Sequence, residues 1–257
     1  MTQALQPQEL IKTVETLQRR IMERFPGSGL SRVAGDLLSI AQQSAKRSQQ
    51  ISRPYLGLRL LMGLLALGIV GVLVAAGSRI RELGQIDVLA DLIQVFEAAL
   101  GSVFFIGATI LFLFTLEIRW KRARALNAIH ELRSLAHIVD MHQLTKDPER
   151  ITSRGGSTPS SPKRTLTSFQ LSRYLDYCSE LLSLISKVAN LYIQKFPDSA
   201  ALEAVDQVES LTTGLSRGIW QKLMILERVI EQSEREMMVK GEEEAAAEPP
   251  KGEGGES

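Results

Sequence analysis

The sequence has little of what several common protein classes require. It contains one cysteine, Cys178, in 257 residues, which excludes an internal disulfide framework. Only 5% of the residues are aromatic, and the alternation of polar and apolar residues that marks a half-buried strand is hard to find. Lysine and arginine nearly balance aspartate and glutamate, so the formal net charge is +1. We therefore expect helices nearly throughout and no nucleic-acid partner.

Charged residues are missing from two long stretches, Leu60–Ser78 and Ala98–Leu116. Each has 19 residues, and a helix of that length covers about 28 Å, close to the roughly 30 Å hydrocarbon thickness of a bilayer. A basic cluster that begins at Arg119 follows the second stretch, and it contains Trp120, an aromatic residue suited to a membrane interface. The predicted fold class is an all-α integral membrane protein with two transmembrane helices and a cytosolic helical bundle.

The basic residues indicate an orientation. Up to Arg59 the chain has nine Lys or Arg against four Asp or Glu, a net charge of +5. The link between the two apolar stretches has two arginines against four acids. Because the more basic flanks of a membrane span stay in the cytoplasm, we predict a multi-pass protein of a bacterial inner membrane with both termini cytoplasmic.

Breaks and charge divide the rest of the chain into segments. Residues 8–25 have apolar side chains at steps of three and four, as an amphipathic helix does, and the Pro-Gly-Ser-Gly break after them predicts a second helix. The predicted segments are a cytosolic helix pair (1–54), a first transmembrane helix (55–78), a short external helical link (79–97), a second transmembrane helix (98–118), a cytosolic helical bundle (119–240) with a flexible linker (147–167), and a disordered acidic tail (241–257).

Polar or small residues recur every seven positions through the link and the second transmembrane helix. This stripe consists of Asp87, Gln94, Gly101, Ala108 and Thr115. One interpretation is a pore lining in an oligomer. The other is a packing seam, in which small residues let helices approach closely. No charged residue lies within either apolar stretch, so a proton relay or charge-coupled transport site is poorly supported.

All three histidines lie in the segment that follows the second transmembrane helix. At 100° per residue, His142 points away from the face shared by His130 and His137, which are two turns, or about 10.5 Å, apart. Zinc ligands on one helix are spaced i and i+4, so we expect no metal site and no catalytic residue. The shared face carries His130, Arg133, His137 and Asp140. We interpret it as solvent-exposed or as a partner or oligomer surface, and a membrane-bound enzyme site is the remaining alternative.

Two bundle helices are predicted after the linker. From Leu171 onward, apolar residues alternate steps of four and three, the seam of a coiled coil or helical bundle. The sequence FPDS at 196–199 ends this helix and begins the next, which predicts an antiparallel hairpin. In the second helix Gly214 and Gly218 are four residues apart, which predicts a close backbone contact, with Trp220 packed at the helix crossing.

No motif in the sequence specifies a biochemical activity. We expect a non-enzymatic, membrane-anchored helical scaffold or signalling protein that uses no cofactor and presents a cytosolic bundle for self-assembly and partner binding. Its expected partners are the lipid bilayer, further copies of the chain and a cytosolic protein. The alternative is an oligomeric pore or channel-like effector lined by the second transmembrane helix.

Overall fold

The computed structural model describes residues 5–52, 54–82, 88–146, 148, 159 and 166–247. Six α-helices occur among these residues, and none of the described residues lies in a strand. The all-helical class is therefore confirmed for this part of the chain. The helices are α1 (Pro7–Arg24), α2 (Gly29–Ser52), α3 (Leu56–Glu82), α4 (Val88–Leu144), α5 (Ser168–Lys195) and α6 (Ser199–Ala247).

Helices α1 and α2 form the pair that the sequence predicts. Pro7 occupies the first turn of α1, where its missing N–H breaks no hydrogen bond. The chain reverses after Arg24 through Gly27, whose φ of 68° falls in the left-handed region that favours glycine. The apolar stripe of α1 is buried and consists of Leu10, Val14, Leu17 and Ile21.

Helix α4 continues without a break from the second apolar stretch into the bundle. Its 57 residues correspond to about 85 Å at 1.5 Å per residue. In its first part (88–116), Phe104 and Phe105 are 70% and 72% exposed. In its second part (117–144), Leu132 and Val139 are 0% exposed. Helix α4 also includes the turns that precede Ala98, which belong to the link that the sequence predicts to be helical.

Helices α3 and α4 contact each other along their apolar parts. Half-buried residues recur on each helix at steps of three and four, so one face of α3 packs on one face of α4. No residue in the most apolar part of either helix is fully buried. Both helices are long and apolar enough to cross a membrane. The half-buried faces are Leu58, Met62, Leu65, Ile69 and Val72 in α3, and Val103, Ile106, Ile110 and Leu113 in α4.

The other four helices pack with the second part of α4 around one apolar core. The apolar face of α4 and the predicted seam of α5 lie in this core and are buried along their length. The hydrophobic effect of burying them is the main stabilising contribution to such a bundle. These residues are Ala128, Leu132, Leu135 and Val139 in α4, and Leu171, Leu175, Cys178, Leu182, Ile185, Ala189 and Tyr192 in α5.

Helices α5 and α6 form the predicted hairpin. Thr167 caps α5: its hydroxyl accepts from the Gln170 N–H at 3.2 Å, and the Gln170 side chain accepts from the Thr167 N–H at 3.0 Å. Helix α6 runs to Ala247, so the start of the disordered tail predicted at 241 was wrong. The reason is local, because residues 242–247 (EEEAAA) are strong helix formers. Most of the predicted linker, and residues 248–257, lie outside the described residues.

Candidate functional site

Glu117 marks the junction at which α4 leaves its apolar stretch. Its side chain is 7% exposed, and its Oε1 lies 2.7 Å from Nζ of Lys121, one turn later. The backbone N–H of Tyr55, just before α3, donates to the same oxygen at 3.4 Å. The buried carboxylate therefore has a cation and a donor, and it joins the start of α3 to α4.

Aromatic and basic side chains surround this ion pair. The rings of Tyr55 and Trp120 meet edge to face with centroids 6.3 Å apart. Nζ of Lys121 and the guanidinium of Arg124 each lie 5.9 Å from the centre of the Tyr55 ring, within reach of a cation–π interaction. Trp120 is 51% exposed. The junction therefore combines buried charge with amphipathic rings at the surface.

Arg122 connects the turn between α5 and α6 to α4. Its Nε donates to both carboxylate oxygens of Asp198 at 3.0 Å, and a second guanidinium nitrogen donates at 2.7 Å. The same carboxylate accepts from the N–H groups of Ala200 and Ala201 at 3.1 and 3.2 Å, which caps α6. These bonds, chiefly those from Arg122, hold the pKa of Asp198 below its usual value. The bundle is thereby fixed to α4 just beyond the junction.

A groove of about 970 Å³ runs between α1, α5 and α6. Trp220 lines it and is 63% exposed. Charged residues of both signs lie along it, including the pair Arg20 and Glu180, whose closest atoms are 3.1 Å apart. An apolar groove with charged edges suits a helix that has one apolar face. Its apolar lining consists of Leu5, Leu10, Leu17, Leu184, Trp220 and Leu223.

The predicted histidine surface lies on the outside of α4. His130, Arg133 and His137 are exposed, and Asp140 is half-buried. Arg133 donates to Gln207 of α6 at 3.3 Å, and Asp140 accepts at 2.6 Å from a glutamine three residues later. Two of the four residues are thus engaged within the chain, and the partner role of this surface stays a prediction.

His142 has a different environment from the other two histidines. Its ring packs against Gly29 at the start of α2, where an added Cβ would lie 2.2 Å from the nearest ring atom. Burial, and then the charges of Arg32 and Lys146, lower its pKa. Sequence analysis gives this residue no role, whereas the structure makes it a contact between α2 and α4.

The seven-residue stripe of α4 lies away from α3. Gln94, Ala108 and Thr115 are exposed and Gly101 is half-buried, while Asp87 lies outside the described residues. The Thr115 hydroxyl donates to two backbone carbonyls of its own helix at 2.6 and 2.9 Å. The stripe therefore takes little part in the packing of α4 on α3, and its role as a pore lining or as a seam with another copy stays a prediction.

Gly214, Gly218 and Trp220 do not form the predicted helix crossing within the described chain. Nothing lies within 4 Å of the position that a Cβ would occupy at either glycine. The reason is the phase of α6, because Val208 and Ile219 face the core while the two glycines lie off that face. Trp220 instead lines the groove.

Two contacts at the junction were not predicted. The pair Glu117 and Lys121 has a local signal, since an acid four residues before a lysine is the spacing of an ion pair on a helix. The pair Arg122 and Asp198 has no such signal, because the two residues are 76 positions apart in the sequence. Only the packing of α4 against the α5–α6 hairpin brings them together.

Comparison of the chain with family models, curated proteins and solved structures gives no match. Among the described residues, no group of three or more His, Cys, Asp or Glu side chains could hold a metal ion. Cys178 is 0% exposed, and burial raises its pKa to about 12, so it is a protonated core thiol at neutral pH. The junction and the Arg122–Asp198 pair hold helices together. The groove is an open surface feature with an apolar lining and charged edges.

Proposed function

We propose that the protein is a non-enzymatic scaffold, anchored in a cell membrane by α3 and the first part of α4, that holds a helical bundle on the cytosolic side for self-assembly and partner binding. The observation that carries this proposal is the continuity of α4, a single helix of 57 residues. Its first part exposes apolar side chains of the kind that lipid covers, and its second part supplies one wall of the bundle core. Anchor and bundle therefore share one rigid element.

The contacts beside the junction support a rigid mounting. The Asp198 side chain is 8% exposed and that of Arg122 is 42% exposed, so the pair is partly shielded from water and the two groups bond through several charge-assisted hydrogen bonds. Asp198 also caps α6. A bundle held in this way presents its surfaces at a constant distance from the apolar stretch, as a scaffold requires.

The end of α6 offers an occupant for the groove. Helix α6 has 49 residues, whereas α5, its antiparallel neighbour, has 28. The last turns of α6 therefore extend beyond the start of α5. On the last turns of α6, Met237, Met238 and Val239 are 62%, 69% and 54% exposed. Because exposed apolar clusters of this kind mark interaction surfaces, we assign the α6 end of a second copy to the groove of the first. Burial of the cluster against Trp220 and the leucines of the groove would then drive self-assembly.

The protein mass of the full chain in detergent micelles tests self-assembly. Multi-angle light scattering is expected to give a dimer or a larger assembly. Met238→Asp and Trp220→Ala should each shift the mass toward the monomer, because each removes apolar contact from one side of the interface. Met141→Asp is the matched control, since this methionine is 66% exposed and does not line the groove. A monomeric native chain, or an equal shift by the control, would contradict the assignment.

The pore alternative has less support than the scaffold. Ser102, Thr109 and Thr115 are the hydroxyl-bearing residues of the second apolar stretch, and all three donate to carbonyls of their own helix at 2.6 to 2.9 Å. A hydroxyl bonded in this way does not need a water-filled lumen. We expect no ion flux above that of empty liposomes after reconstitution. Flux that disappears on Thr115→Leu would support the pore and count against the scaffold.

A further inference from the structure

Positive charge exceeds negative charge at the junction. Its two acids, Glu117 and Asp198, are each paired with a basic residue of α4 at 2.7 Å. Three exposed arginines, Arg59, Arg119 and Arg124, form no salt bridge with a described residue, although the charge of Arg59 acts on Glu117 from a longer distance. A surplus of positive charge therefore lies near the point where α4 leaves its apolar stretch.

Two of these arginines lie beside Tyr55. Arg59 is one turn after Tyr55, and its backbone N–H donates to the Tyr55 carbonyl at 3.0 Å. Arg124 lies over the Tyr55 ring, and Trp120 contacts the same ring. Arg119 lies about 140° around α4 from Arg124, at 100° per residue. We call Tyr55, Arg59, Trp120 and Arg124 the junction patch, and Arg119 lies outside it.

A cleft with both polar and apolar lining continues the junction patch away from the apolar stretch. It encloses about 440 Å³ between α2 and α4, and Arg124 belongs to both the patch and the cleft. Gln50 and Asn127 bring amide groups to its lining. Arg47 also lines the cleft, where it pairs with Glu131 at 3.1 Å. Four of the lining side chains can thus donate hydrogen bonds, and the rest of the lining is Ile51, Ala128 and Glu131.

We propose that the junction patch and its cleft bind the headgroup of an anionic phospholipid. Arg59 and Arg124 supply charge-assisted donors for phosphate oxygens, and Tyr55 and Trp120 have the amphipathic rings that lie at headgroup level. Basic clusters beside a membrane span attract anionic lipids, and the cleft has room for the part of the headgroup beyond the phosphate. The inference rests on the proposed membrane anchoring, and it adds which lipid class binds and where.

Fluorescence quenching by brominated lipids tests the site. The chain has two tryptophans, so Trp220→Phe leaves Trp120 of the junction patch as the reporter. This variant is reconstituted into vesicles with equal mole fractions of phosphatidylcholine and phosphatidylglycerol, and either lipid in turn is brominated on its acyl chains to quench nearby tryptophan. We expect phosphatidylglycerol to be preferred beside Trp120 by about fivefold, with the preference falling as salt rises.

Further substitutions in the same background locate the preference. Arg124→Gln is expected to lower it by about threefold or more, whereas Arg124→Lys, which keeps the charge, should retain most of it. Arg119→Gln is the matched control, because it removes an exposed arginine that lies about 7.5 Å from Arg124 along α4 and on another side of the helix. It should leave the preference nearly unchanged. Circular dichroism of each variant checks that the helices remain folded.

Each contrary outcome has a separate meaning. Equal quenching by the two brominated lipids would overturn the headgroup site and leave the anchoring intact, because quenching itself reports insertion. A loss with Arg119→Gln as large as with Arg124→Gln would also overturn the site, since the preference would then belong to a diffuse basic belt. No quenching by either brominated lipid would overturn both the headgroup site and the proposed anchoring.

Discussion

The two parts of α4 differ in which of their side chains are buried. Before Glu117, the half-buried residues lie mainly on the face toward α3, and the remaining positions carry large apolar residues together with the small and polar residues of the seven-residue stripe. After Glu117, apolar residues at steps of three and four are fully buried, and the other positions are mostly charged or polar. Both parts therefore have the same kind of packing face. What distinguishes a helix suited to lipid from one suited to water is the chemistry of the positions outside that face.

The largest expected effect on stability separates a leucine-to-alanine substitution in the bundle core from the same substitution in the apolar stretch of α4. Leu182→Ala removes a side chain that is 0% exposed from the bundle core, and it should lower the free energy of unfolding by about 2–5 kcal/mol. Leu111→Ala, at a position of α4 that is 66% exposed, should change the free energy of unfolding of the bundle by less than about 0.5 kcal/mol. Urea unfolding of the full chain in micelles, followed by circular dichroism, measures both. Equal losses would break the comparison.

The second prediction concerns Asp198, which connects the α5–α6 turn to α4. Asp198→Ala removes the cap of α6 and the partner of Arg122, so the bundle should lose about 1–3 kcal/mol of stability. The readout is the rate at which Cys178 reacts with a thiol reagent, because this cysteine is 0% exposed and reacts only when the bundle opens.

A surface ion pair provides the control for that measurement. Asp176 pairs with Arg173 on the same helix, and both side chains are about one-third exposed, at 32% and 39%. Asp176→Ala should therefore cost less than about 0.5 kcal/mol. If Asp176→Ala accelerates Cys178 labelling as much as Asp198→Ala does, the Arg122–Asp198 pair stabilises the bundle no more than a surface ion pair does.

The two parts of the molecule also differ in what their hydroxyl groups bond to, and a smaller effect on stability is expected from this difference. In the bundle, the Tyr192 hydroxyl donates to Ser44 Oγ at 2.9 Å and so links α5 to α2, whereas Thr115 bonds only to its own helix. Tyr192→Phe should cost about 1–2 kcal/mol, because it leaves the buried Ser44 hydroxyl without this donor. Thr115→Val should leave bundle stability unchanged. Urea unfolding gives both values, and a loss from Thr115→Val as large as that from Tyr192→Phe would contradict the distinction.

The smallest effect is a pH dependence that arises from His142. Burial, followed by Arg32 and Lys146, lowers its pKa in the folded chain below the ordinary value of 6.5. The unfolded chain therefore takes up this proton first, so the His142 contribution is fully present above pH 6.5 and declines as the pH falls through that value. Urea unfolding at about pH 7.5 and 5.5 should show the decline.

Two histidine variants assign that pH dependence. His142→Gln should reduce the difference in stability between the two pH values, whereas His137→Gln, at an exposed position, should retain it. A decline that is unchanged in His142→Gln would mean that other groups carry it.

Local patterns predicted most of the helices because the residues that break them are explicit. The break at 26–29 and the FPDS turn at 196–199 lie where the structure ends α1 and α5. The continuity of α4 was predictable because neither proline nor a loop sequence interrupts it. The acidic composition from residue 241 onward predicts disorder, whereas the helix propensity of Glu and Ala extends α6 to Ala247.

The parts that could not be predicted depend on how different helices meet. Gly214 and Gly218 suggested a close contact, but a spacing within one helix does not show which side of it faces the core. The sequence predicts Trp220 at a helix crossing, whereas the structure places it in the groove. The Arg122–Asp198 pair needed the packing of three helices before the two residues could meet.

Cysteine labelling in intact cells that express the chain tests most directly the proposal that the bundle lies on the cytosolic side of a cell membrane. The parent chain serves as the background, because its buried Cys178 should stay unlabelled. A membrane-impermeant maleimide should label Gln85→Cys, between the two apolar helices in the sequence, from outside. It should label Gln221→Cys, exposed on α6, only after the membrane is permeabilised. Labelling of Gln221→Cys in intact cells, with Gln85→Cys protected, would place the bundle on the wrong side and contradict the account.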